Sequence, residues 1–162
     1  MRYHSKQATI LSGVLILFGT LFLMSCTMKT GAHITKVNPY HLQPGGYVPS
    51  AERMIDFEYD RKVFGAVTAA DYFSRYGNYY TVLWKPKTVG SPATVRLQYC
   101  QATTGPKIFI KEQVVESPKR NNTTNFEVIG EEYTKQGAVT QWKASVIQDG
   151  SVIDEFKSFL WQ

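Results

Sequence analysis

Cysteine is scarce in this chain of 162 residues, which carries two, Cys26 and Cys100. Two thiols make no disulfide framework of the kind that staples small secreted domains. Zinc chemistry is equally short of material, because His33 and His41 have neither cysteine nor carboxylate at metal-ligand spacing. There is no Lys/Arg block to follow a nucleic-acid backbone, no glycine-rich phosphate loop and no Gly-x-Ser-x-Gly elbow. These gaps remove most cofactor-dependent and nucleophilic chemistries and leave a reading with no cofactor, no metal and no nucleic acid.

What is present begins at the N-terminus. Arg2 and Lys6 make the first residues positive, and Ile10 to Met24 form an apolar run broken only by Ser12, Gly13, Gly19 and Thr20. A membrane span takes roughly 20 predominantly apolar residues, and this run is shorter before Thr27, Lys29 and Thr30 begin. A charged start followed by a short apolar core is an export signal. Its end, Leu23-Met24-Ser25-Cys26, resembles the lipobox of bacterial lipoproteins. That resemblance implies cleavage after Ser25, a diacylglyceryl thioether on Cys26, and membrane attachment through the lipidated cysteine. Thr27 and Met28 follow it, and in Gram-negative members of the family the lack of an Asp there implies sorting to the outer membrane. Each buried methylene contributes about 0.8 kcal/mol, so two or three chains make a stable anchor.

Removing residues 1 to 25 takes Arg2 and Lys6 away, so 18 basic residues become 16 against 13 acidic and the formal charge falls from +5 to +3. The remaining length suits one self-supporting core. Residues 27 to about 51 carry Gly31, Pro39, Pro44, Gly45, Gly46 and Pro49 with few aliphatic side chains, which predicts a flexible tether. The domain is then expected over residues 52 to 162.

In that span, short runs rich in β-branched and aromatic residues alternate with Gly, Pro, Asn and Asp clusters. The expected strands are Met54 to Tyr59, Lys62 to Thr68, Tyr79 to Lys85, Ala93 to Gln101, Lys107 to Val115, Asn125 to Gly130, Val139 to Gln148 and Ser151 to Trp161. Val95, Leu97 and Tyr99 alternate with Thr94, Arg96 and Gln98, one face for core and one for solvent. Gln148-Asp149-Gly150-Ser151 between two runs predicts a two-residue type I′ hairpin, pairing Ile147 with Val152 and opposing Trp142 to Lys157 unless a bulge intervenes. Ala69, Tyr72, Phe73 and Tyr76 have the spacing of one helix face and predict a turn or two of helix before Gly77. Ser117 to Thr124 and Tyr133 to Gly137 read as connections.

The strand count, the terminal hairpin and the early Trp84 run give an all-β, two-sheet antiparallel sandwich similar to immunoglobulin-like or fibronectin type III-like domains, with a lipocalin-like barrel as the alternative. Cys100 reads as a small buried hydrophobe. Glu127, Glu131 and Glu132 form an acidic group expected on a solvated strand edge.

Rings are concentrated at Tyr72, Phe73, Tyr76, Tyr79, Tyr80 and Trp84. Phe73, Tyr80 and Trp84 are expected in the core. Tyr72, Tyr76, Tyr79 and, near the chain end, Trp161 are the candidate binding surface, since rings with polar tips suit protein interfaces and sugar faces. The expected function is a non-enzymatic bacterial envelope lipoprotein whose sandwich binds or scaffolds another envelope component, a protein met at an edge strand or loop surface. Its alternatives are a binder of a small apolar or glycan ligand, and a motif-free enzyme that would bring Glu131, Tyr133 or Cys100 into one cleft. If the address is right, Cys26→Ala abolishes incorporation of radiolabelled palmitate and releases the protein from the membrane fraction. Continued labelling would overturn it.

Overall fold

The computed structural model describes residues 31–45 and 53–161, so the signal segment, with Ser25 and Cys26, lies outside the described residues. Among the described residues, seven strands and three helices succeed one another: β1 (His33–Leu42), α1 (Arg53–Val63), α2 (Ala69–Arg75), β2 (Gly77–Lys85), β3 (Ala93–Gln101), β4 (Phe109–Val115), β5 (Asn122–Ile129), α3 (Glu131–Gln136), β6 (Val139–Gln148) and β7 (Ser151–Lys157). Among the described residues no helix is long and apolar enough to cross a membrane.

Alternation decides the sheets. On β3, Ala93, Val95, Leu97 and Tyr99 are buried while Thr94, Arg96 and Gln98 are half-buried; Tyr80, Val82 and Trp84 on β2 and Thr124, Phe126 and Val128 on β5 repeat the period. Strands with one apolar face must cover it, and these faces meet in a single core that also takes Ala144 and Val146 of β6. Burying each such aliphatic side chain is worth about 1.5–3 kcal/mol. The largest member, Trp84, is 1% exposed, and its indole N–H donates to Thr124 Oγ1 at 3.0 Å, so no polar atom of the ring is left unmatched.

The strands order as β1-β2-β5 in one antiparallel sheet and β4-β3-β6-β7 in the other. This is a two-sheet sandwich, and the lipocalin-like alternative fails because the sheets do not close on each other. The first, second and fifth strands share a sheet, as do the third, sixth and seventh, in the immunoglobulin manner; β4, however, pairs with β3, whereas in the constant-type arrangement the fourth strand joins the first sheet.

Several expectations are corrected. Residues 33–42 are not tether but the edge strand β1, which pairs with β2 from His33↔Lys85 to Leu42↔Gly77. The register shifts between Ile34 and Lys36, so the buried residues Ile34 and Val37 stand three apart and the two-residue period is broken. Pro39 sits in a strand at the sheet edge, where the lack of an N–H is tolerated. Residues 53–63 are helix, so neither the strand expected over Met54 to Tyr59 nor the one over Lys62 to Thr68 forms, and the connection expected at Tyr133 to Gly137 is mostly the helix α3. Nothing in 53–63 breaks a helix, Asp56 lies in the first turn, and Arg61 and Lys62 lie in the last, which suits the macrodipole. Arg61 also pairs with Glu58 one turn back at 2.8 Å.

The expected helix before Gly77 is α2. Thr68 caps it and Asp71 reciprocates, a capping box written in the sequence as Thr68-x-x-Asp71. The terminal hairpin has φ of 54° at Asp149 and 72° at Gly150, the two positive values a type I′ turn requires. Ile147 faces Val152 as expected, and a bulge then moves Val146 onto Asp154. Trp142 therefore meets Ser158, exchanging backbone and hydroxyl bonds with it at 2.9 and 3.0 Å.

Polar side chains fix the loops at both ends. Buried Gln148 accepts from the N–H groups of Lys87 and Thr88 and donates to the carbonyls of Thr88 and Ser91, all within 3.1 Å. Asn78 accepts from Val139 N–H at 2.9 Å. Gly77 starts β2 with φ of +148°, and a Cβ there would stand 2.2 Å from the Val128 carbonyl oxygen and 2.8 Å from Ile129 Cα. Gly77→Ala should cost about 3 kcal/mol or more through combined strain and overlap. Gly65→Ala, with φ of +79° and nothing within 4 Å, should cost about 1 kcal/mol. Urea midpoints compare them, and equal losses would contradict the close approach at Gly77.

Candidate functional site

The outward face of the first sheet is organised by register. Three rows cross β1, β2 and β5: Lys36, Leu83 and Thr123; Asn38, Thr81 and Asn125; Tyr40, Tyr79 and Glu127. Alternation places these opposite the core residues Val37, Val82, Thr124 and Phe126. The connection from β1 to β2 carries α1 and α2, and their side chains border this face. The result is two adjoining hollows, of about 510 and 440 Å³, that share Arg61, Lys62, Tyr79 and Asn125 in their walls. The first is completed by Arg75, Ser74, Glu127 and Ile129, the second by Lys36, Asn38, Tyr40, Glu58, Thr81 and Thr123.

Tyr79 joins the helices to the sheet. It is 5% exposed, and its hydroxyl donates to the Arg75 carbonyl at 2.6 Å, which ties the last turn of α2 to β2. The Lys62 ammonium lies 3.8 Å from its ring centroid, a cation–π contact, and the Arg75 guanidinium donates to the Lys62 carbonyl at 3.1 Å. Burial, then Arg61 beside it, lowers the Lys62 pKa from its ordinary value. Burial and Glu127 push the Tyr79 hydroxyl up to about 12. Tyr40, 6.4 Å from Tyr79 between centroids, is raised by burial and Glu58. On the floor, the Thr81 hydroxyl donates to Asn125 Oδ1 at 3.0 Å. Neither Lys36 nor Lys62 pairs with a carboxylate among the described residues.

Of the four rings expected to form a binding surface, the structure brings one, Tyr79, into this groove. Tyr72 and Tyr76 are half-buried on α2 and its C-cap; Tyr76 meets Phe73 edge-on at 5.7 Å, and both phenols help to raise the pKa of Tyr59 after burial. Trp161 lies past β7 in a turn closed by its N–H to the Ser158 carbonyl, 5.7 Å from Lys143 Nζ, and lines a separate hollow with Cys100, Ile108 and Leu160. Phe73, expected in the core, is 59% exposed, because α2 is tied to the outward-facing Tyr79 and contributes no residue to the inter-sheet core.

The acidic group is dispersed. Glu127 faces the groove, Glu131 pairs with Lys135 at 2.7 Å, and Glu132 accepts from the Tyr99 hydroxyl and from Lys111 Nζ, the latter at 2.7 Å. Cys100 is buried, and the Tyr133 hydroxyl is engaged with His41 Nε2 at 2.8 Å. Glu131, Tyr133 and Cys100 thus occupy three different surroundings. The groove residues that sequence reasoning missed are Lys36, Asn38 and Tyr40, spaced two apart, and Arg61, Lys62 and Arg75 at the ends of the two helices. The two-residue spacing was the available signal for the first three.

No protein-family model matches this chain, and neither a curated protein nor a solved structure is similar to it.

Because the folded state raises the Tyr79 pKa from 10.0 to about 12, it holds a proton that the unfolded chain releases between those values. The stability this supplies is complete below pH 10 and is lost as pH climbs towards 12. Burial shifts Tyr80 and Tyr99 in the same direction. Urea midpoints followed with tyrosinate absorbance should therefore fall above pH 10, with a shallower fall in Tyr79→Phe. An unchanged slope in that variant would contradict the assignment.

Proposed function

We propose that this chain is a non-enzymatic, lipid-anchored binding protein of a bacterial envelope, held to its membrane through Cys26, at the outer membrane in a host that has one. Its contact surface is the groove between α1, α2 and the outward face of β1-β2-β5. The observation that carries this reading is the helical insertion between the first two strands, which turns a flat sheet face into a walled trough of about 510 and 440 Å³ while the inter-sheet space is packed with side chains. A carrier of an apolar ligand would instead need an apolar cavity of comparable size. The non-enzymatic reading is supported by the scattering of Glu131, Tyr133 and Cys100 and by the engagement of Glu132 with Tyr99 and Lys111. Only six residues, 27 to 32, separate Cys26 from β1. The leash is therefore much shorter than a 25-residue linker.

A second reading, a protein partner adding a strand to β4, is favoured by the open edge of that strand and by Ile110 and Val114, each 56% exposed. Photocrosslinking in the native membrane separates the two. A benzoylphenylalanine at Asn125 should capture an envelope component, whereas the same probe at Gln113 on β4 should not. Capture from Gln113 alone would replace the groove with the strand edge.

A further inference from the structure

We propose that the groove takes an acidic polysaccharide, its sugar rings lying along the Asn38, Thr81 and Asn125 row and its carboxylates meeting Lys36 and Lys62. This rests on the groove being the contact surface and adds the chemistry of the occupant.

Charge is the first argument. Four cations, Lys36, Arg61, Lys62 and Arg75, face the two hollows against two carboxylates, Glu58 and Glu127, an excess of two positive charges. Arg61 is matched by Glu58 at 2.8 Å, but neither lysine is in direct ion-pair contact with a carboxylate among the described residues; Glu127 and Glu58 act on Lys62 only at longer range, against the lowering by burial and Arg61. Lys62 is also held in place over the Tyr79 ring and partly withdrawn from water. A fixed, incompletely solvated ammonium gains more from an incoming anion than a freely hydrated one, since part of its desolvation has already occurred.

The second argument is the floor. Asn38, Thr81 and Asn125 are neutral, lie in one row across three strands, and offer amide and hydroxyl groups that both donate and accept. The Thr81 bond to Asn125 Oδ1 orients that amide, leaving its two N–H donors and the Thr81 lone pairs for a ligand. Such a row matches the successive hydroxyls of a sugar. Tyr40, beside Asn38 in the neighbouring row, supplies a flat ring with a polar tip, which suits the C–H face of a pyranose.

The third argument concerns what the described lining lacks. Apart from Pro39 and Ile129 the described lining has no aliphatic side chain, and Leu83, between Lys36 and Thr123, is the one aliphatic residue in the three rows. The core of a protein interface and the pocket of an apolar ligand are both apolar, so an acidic peptide anchored by aliphatic residues finds no seat here. Two hollows sharing one wall also form a trough longer than a single ring needs, which favours a polymer.

The test uses the full-length lipoprotein in detergent micelles, titrated calorimetrically with polygalacturonate fragments, with neutral dextran of matched length and with polyglutamate. Polygalacturonate should bind, more weakly at higher salt, and dextran and polyglutamate should bind at least tenfold less tightly. Lys62→Gln and Lys36→Gln should each weaken binding roughly tenfold, as loss of a charge-assisted hydrogen bond does. Asn125→Ala should weaken it severalfold, and Lys157→Gln, remote on β7, should leave it unchanged. Thermal melts check that each variant folds, and Lys36→Gln serves if Lys62→Gln disturbs the packing on Tyr79. Equal binding of polyglutamate with no effect of Asn125→Ala would overturn the saccharide in favour of a plain cationic patch. Equal binding of dextran would overturn the carboxylate contact. Absence of polygalacturonate binding, with crosslinking from Asn125 intact, would overturn the acidic sugar and leave the groove reading standing, whereas loss of both would overturn the two together.

Discussion

The first half of β2 has to be covered on both faces, and the rest of the domain is arranged to do it. Gly77, Asn78, Tyr79 and Tyr80 are all buried in succession, a pattern that one apolar sheet face cannot produce. Tyr80 turns inward to the core, where Trp142 lies 5.5 Å from it between centroids, and Tyr79 turns outward. Leaving Tyr79 uncovered would expose a large ring at the centre of the first sheet. The helices α1 and α2 are what cover it, tied on by the phenol's bond to Arg75 and by Lys62 over its ring.

That covering is incomplete by construction. Two short helices cannot blanket a three-stranded face, so the rows beyond Tyr79 stay open as a floor while the last turn of α1 and the end of α2 supply walls. Helix ends of this kind carry cations because Lys and Arg there answer the negative end of the helix macrodipole. Local helix energetics and the electrostatics of the groove therefore favour the same residues. Arg61, Lys62 and Arg75 end their helices and charge the trough at once.

Buried side-chain amides do comparable work at the margins. Gln148 gathers the β2–β3 connection through four hydrogen bonds, Asn78 holds the start of β6, and Gln101 donates through Nε2 to the Gly137 carbonyl at 2.9 Å beyond α3, although its Oε1 has no partner among the described residues. Each contact spans more than 30 residues of chain. Such bonds add little net energy apiece, but an unmatched buried amide is costly, so they discriminate against other loop arrangements.

Much of the sandwich was legible because its signals are local. The two-residue period of Val95, Leu97 and Tyr99, the Asp149-Gly150 turn and the helical spacing of 69–76 each involve neighbours in sequence, and each reads directly as strand, hairpin or helix. What stayed hidden depended on partners far along the chain. β1 has too few apolar residues, and a bulge among them, to declare itself; its strand state comes from hydrogen bonding to β2, some 40 residues on. In α1, Ile55, Phe57 and Tyr59 alternate with Asp56, Glu58 and Asp60 as a strand would, and this two-residue period masks the helical spacing of Ile55, Tyr59 and Val63. The tyrosines looked like one cluster, yet alternation and a helix boundary send Tyr79, Tyr80 and Tyr76 into three environments. The sequence by itself determined the periods, the turn and the chemical resemblance at Cys26. Tertiary structure alone decided which strand edges met, and so which cations came to share a groove, because pairing between distant segments is a property of the whole folded chain and leaves no local pattern.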